Sequence, residues 1–125
     1  METLNKDFSV VKNTKTEAKK LISKSLAKIN NQNFSDAIIH IREAEAFCNK
    51  EKLTEGTSIS LSLLGMTQYF EDKSKFSEAL ATIHDGTQLA QISDNITAKL
   101  FNELALGNIH FCKGDNDIAL LHFNN

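Results

Sequence analysis

Residues Leu104–Phe123 read LALGNIHFCKGDNDIALLHF: a Leu-Gly pair inside an apolar run, a Gly-Asp break, then a second apolar run opened by an alanine. Glycine and aspartate between two apolar runs mark the end of one helix and the start of the next. The stretch is therefore a helical hairpin. Whether it stands alone or is one copy of a recurring unit decides the fold.

Self-comparison of the chain finds two further copies. The second runs align as NFSDAI (33–38), KFSEAL (75–80) and DNDIAL (115–120). Their alanines, Ala37, Ala79 and Ala119, stand 42 and 40 residues apart. Four residues after each alanine comes Ile41, Ile83 or Phe123, and three before it Phe34, Phe76 or Asn116. Twelve before each stands a small residue, Ser25, Thr67 or Gly107. Helices approach closely only where a small side chain meets the neighbouring backbone, with larger apolar residues filling the space beside it, so the positions predict packed hairpins.

The rest of the chain agrees with this reading. It has no proline, its five glycines are scattered, and no segment alternates in the manner of a strand. Apolar spacing predicts first helices over about 16–31, 54–72 and 95–113, each followed by a second helix from Phe34, Phe76 or Asn116. The units are expected at 16–50, 54–92 and 95–125, the last cut short. Residues 1–15, with Leu4, Phe8, Val10 and Val11, are expected as an N-terminal cap or flexible segment.

With 41% hydrophobic and 24% charged residues the composition is that of a folded domain, and 125 residues make one domain. A formal charge of −2 lacks the basic excess that phosphate neutralisation requires, so no direct nucleic-acid contact is expected; KNTKTEAKK (12–20) reads as a solvated helix face. No apolar run reaches the roughly 18 residues of a membrane span. Cys48 and Cys112 form no metal or redox motif and read as free thiols in a reducing, cytoplasmic setting. The sequons at Asn33 and Asn95 matter only in an exported chain.

The third unit resembles the tetratricopeptide repeat (TPR): Leu106-Gly107 in the first helix, Gly114-Asp115 in the turn, Ala119-Leu120 and Phe123 in the second helix. The first two units depart from it, with Ser25 and Thr67 at the glycine position and no glycine in the turns, and the family's proline is absent throughout. The period exceeds the ~34 residues of the standard repeat. The resemblance covers about 16–125 and implies an all-α fold, an α-solenoid of about three TPR-like helical hairpins in a right-handed superhelix. It implies a non-enzymatic domain that binds a protein or peptide partner, of the long-repeat type found as the N-terminal regulatory part of larger cytosolic signalling or transcription regulators. By the same resemblance, first helices line a concave groove, here Leu64, Gln68, Glu71 and Asp72 in unit two and Phe101, Ala105, Asn108 and Cys112 in unit three. A basic carboxylate clamp of the kind some members carry is not matched.

Catalytic or metal chemistry finds no constellation. His40 and His122 each fall three residues after an alanine, but the repeat frame explains that coincidence; His84 lies off the apolar stripe. His110 and Cys112, two apart on a helix, point about 200° from one another. Asp115-Asn116-Asp117 begins like a calcium loop but continues into Ile118-Ala119-Leu120, as a helix start would. Glu43/Glu45 and Glu71/Asp72 sit on solvated faces. Neither a catalytic residue, a cofactor nor a metal is expected. Leu120, Leu121 and Phe123 are expected to lie exposed unless a downstream domain or a second copy covers them, and this gives the alternative reading, a self-association module forming a homodimer.

Overall fold

The computed structural model describes residues 2–124, with side chains from residue 14 onward other than that of Asn116. The described chain is all helix with no strand: α1 (Glu2–Asn30), α2 (Phe34–Lys50), α3 (Thr54–Glu71), α4 (Phe76–Ser93), α5 (Ile96–Lys113) and α6 (Asn116–Phe123). Residues 2–15, expected as a cap or flexible segment, continue α1 as one helix. The side chains of Leu4, Phe8, Val10 and Val11 lie outside the described residues.

Local chemistry sets the boundaries. Asn33 and Asn95 accept hydrogen bonds from the amides of Asp36 and Ala98, satisfying donors that the first turns of α2 and α5 leave open. Four helices end on a left-handed residue, Gln32, Lys52, Asp94 or Gly114 (φ between 51° and 95°). In each, the next amide reaches back to close the last turn, as Asp115 N does to the His110 carbonyl at 2.8 Å. α3 ends differently: Asp72 is extended and a 3-10 turn, Lys73–Lys75, leads into α4.

Each helix packs on its neighbours in the chain, and α3 also touches α1 and α5; among the described residues no helices further apart meet. α3 is the centre, with eleven of its eighteen residues buried. Ala37, Ala79 and Ala119 are all enclosed, as are Ile41 and Ile83. A Cβ added to Gly65 would come 2.6 Å from the Ala79 carbonyl oxygen and 2.7 Å from Ile83 Cγ1. A Cβ on Gly107 would meet the Phe123 ring. Since Ile83 and Phe123 both stand four residues after their alanines, Gly65 is the counterpart of Gly107. Thr67, expected there, is instead buried elsewhere on α3 and donates its hydroxyl to the Leu63 carbonyl at 2.7 Å. The longer α3–α4 connection shifts the first helix by two residues, and the Leu64-Gly65 pair repeats Leu106-Gly107.

The second close approach is at Gly86, whose added Cβ would lie 2.8 Å from the Ser58 carbonyl oxygen. Ser58 Oγ donates to the Gly86 carbonyl at 2.6 Å, so burial of this serine leaves no donor unpaired. Gly65→Ala tests the register. Alanine is the better helix former by about 1 kcal/mol, but the side chain has no room, and overpacking of this kind costs about 1–3 kcal/mol. Urea unfolding is expected to show a lower midpoint; an unchanged or raised one removes this contact from the fold.

Candidate functional site

An open cleft of about 580 Å³ lies where α1 and α3 diverge. These two helices touch only lightly, whereas α3 and α5 are closely packed. The floor is apolar: Ala18 and Ile22 from α1, Leu53 from the α2–α3 turn, and Ile59 from α3. Lys15, Lys19 and Lys52 stand at the rim, all exposed and without an ion pair to any described residue. The left-handed backbone at Lys52 (φ 58°) turns the chain sharply between α2 and α3 at this edge. Glu55 adds one negative charge, and its Oε2 accepts a hydrogen bond from Asn95 Nδ2 at 3.2 Å, which ties α3 to the start of α5 and closes one side.

The groove expected from the resemblance forms only in part. Leu64 (5% exposed) and Ala105 (1%) are enclosed in the core, and neither can line a ligand surface. Phe101 packs against that core, half-buried. Gln68 and Asn108 are half-buried, and Asn108 Nδ2 lies 3.5 Å from Met66 Sδ across the same seam. Glu71 is exposed but accepts a 2.7 Å bond from Ser35 Oγ on α2. Cys112 is exposed. Within the seam, Asn102 Nδ2 donates to Ser62 Oγ.

No family model matches the chain, and neither a curated protein nor a solved structure resembles it to a significant degree. The chemistry of its sites is read from this chain alone.

The histidines fall out differently from the repeat frame. His40 and His122 lie on α2 and α6, which do not touch. His40 Nδ1 is 3.9 Å from Glu43, while the His122 ring stacks on His110 with centroids 5.7 Å apart. His122 Nδ1 pairs with Glu103 at 2.6 Å, and His110 Nδ1 lies 3.4 Å from Asp115. These rings end a row that sequence reasoning missed. Phe34 meets Phe70, Tyr69 meets Phe76 and Phe76 meets His110, with Lys73 over Tyr69 and Lys113 over Phe76 at 3.7 Å. The row ties the hairpins together at one end and leaves its rings engaged with one another. Its signal was the phenylalanine three before Ala37 and Ala79, together with a lysine in the turn or last helical residue. Among the described residues, no three His, Cys, Asp or Glu side chains cluster closely enough to hold a metal ion.

Of the two cysteines, burial pushes the Cys48 thiol above its ordinary pKa and leaves it a poor nucleophile. Asp72, expected in the groove, caps the 3-10 turn instead. It accepts from Ser74 Oγ at 2.7 Å and Ser74 N at 3.0 Å, and these bonds hold its carboxyl below the ordinary carboxylate range. A lowered folded-state pKa favours the fold above that range, and the contribution is lost as pH falls through the folded value. Ser74→Ala is expected to raise the Asp72 midpoint toward the ordinary value in an NMR carboxyl titration; a midpoint that does not move refutes the assignment.

Proposed function

We propose that this chain is a non-enzymatic, protein-binding helical-repeat domain that takes an acidic, partly apolar peptide segment into the cleft between α1 and α3. The observation that carries the reading is the cleft itself, an apolar floor of Ala18, Ile22, Leu53 and Ile59 beneath three lysines without ion partners among the described residues. Apolar side chains of the ligand would gain burial on the floor while its carboxylates meet the lysines, which also speed encounter. A preformed cleft on packed helices confines the ordering cost to the ligand.

The packing pattern supports a finer architecture, a right-handed stack of three TPR-like hairpins. Each helix meets only its near neighbours along the chain, and Gly65 and Gly107 occupy corresponding contacts. In this reading the domain works in the cytoplasm, where Cys48 and Cys112 stay reduced, as the ligand-sensing part of a signalling or transcription regulator. No helix among the described residues is long and apolar enough to cross a membrane.

A fluorescein-labelled peptide of alternating glutamate and leucine serves as probe in an anisotropy titration. Binding is expected to weaken about tenfold or more in the Lys19→Glu, Lys52→Glu double variant, and to weaken with added salt. Gln68→Ala with Asn108→Ala, neither of which lines the cleft, is expected to leave it unchanged. Equal affinity of native protein and lysine variant removes the cleft from the proposal.

A further inference from the structure

The α1–α3 cleft offers a ligand backbone very little. Its floor of Ala18, Ile22, Leu53 and Ile59 carries no hydrogen-bonding side chain, and the main chain at Ala18, Ile22 and Ile59 is paired within α1 and α3. Polar groups at the edge are already engaged. Asn95 Oδ1 accepts from the Ala98 amide at 2.9 Å and its Nδ2 donates to Glu55 at 3.2 Å, while Ser93 Oγ donates to the Leu89 carbonyl at 2.8 Å. The lysines supply donors and no acceptor. An extended peptide laid on this floor would bury amide N–H groups with nothing to receive them, and a buried unpaired group of that kind is costly. A helix pairs its own backbone and presents only side chains.

The walls have the matching relief. On α1, Lys15 and Lys19 form one row and Ala18 and Ile22 another, each spaced by one helical turn; Glu55 and Ile59 of α3 form the facing row. Between rows of this spacing the side chains of a second helix lodge. Charge is one-sided, with Lys15 and Lys19 along the α1 edge and Glu55 on the α3 edge. We infer, on the basis of the cleft reading above, that the ligand is an amphipathic helix of a partner protein. Its apolar stripe faces the floor, and glutamates or aspartates one turn apart meet Lys15 and Lys19 along the α1 edge.

Two fluorescein-labelled peptides of about 16 residues and equal glutamate and leucine content test this. One alternates the two residues; the other places its leucines three and four apart, as one face of a helix does. In anisotropy titrations of the native protein the second is expected to bind about tenfold or more tightly, because its apolar face and its paired backbone coincide. A proline at its centre is expected to remove that advantage. Far-UV circular dichroism of the mixture is expected to show more helix than the separate components together. Equal or tighter binding of the alternating peptide, or full affinity with the proline, overturns the helical ligand; if Lys19→Glu with Lys52→Glu still weakens that binding, the cleft reading stands. Binding that the lysine substitutions leave unchanged overturns the cleft reading and the helical ligand with it. No detectable binding of either peptide overturns both.

Discussion

The close approach of α3 and α4 is the contact on which the rest of the structure depends. Two glycines on facing helices, Gly65 against the Ala79 backbone and Gly86 against the Ser58 backbone, let the two axes come near enough for Ile83 to be wholly enclosed. Because α3 also carries α1, α2 and α5 on its other sides, this one pair sets where the outer hairpins sit. Small residues therefore matter here through what they omit. A side chain at either glycine would push backbone against backbone, which has no rotamer by which to yield.

From that centre the two seams of α3 differ. Toward α5 the seam is closed by polar bridges, Asn102 to Ser62 and Asn95 to Glu55. Toward α1 it opens, leaving an apolar floor ringed by lysines. One flank of α3 is thus a sealed interface and the other an open cleft. Hydrogen bonds across the closed seam add little net energy, but burying those polar groups unpaired would be costly, which favours one register over its alternatives.

How much of this was legible differs by level. Helix positions were, because their signals are local: the 3- and 4-residue apolar spacing and the Gly114-Asp115 break, where the chain does turn left-handed. The small-residue contact was legible in kind, but its position in the second hairpin was misplaced at Thr67. The 3-10 turn lengthens that connection, and turn length is a weak signal in a lysine- and serine-rich segment. The Leu64-Gly65 pair was the better guide, since it copies Leu106-Gly107. The groove was legible least. Gln68 and Asn108 stay half-exposed, yet Leu64 and Ala105 vanish into the core, and nothing in their own residue types foretells which neighbours enclose them.

By itself, the sequence determined an all-helical chain of three look-alike hairpins, because helix propensity, capping and amphipathic spacing act within a turn or two of the backbone. It also determined that Leu120, Leu121 and Phe123 would leave apolar surface at the end of the last hairpin, where they are 58%, 61% and 42% exposed. Only the tertiary structure decided that α1 and α3 part while α3 and α5 close, and that His122 stacks on His110 and leaves His40 far off. Those outcomes depend on distances between helices about 40 residues apart in the chain, set by side-chain volume and turn length together, and no local pattern carries that information.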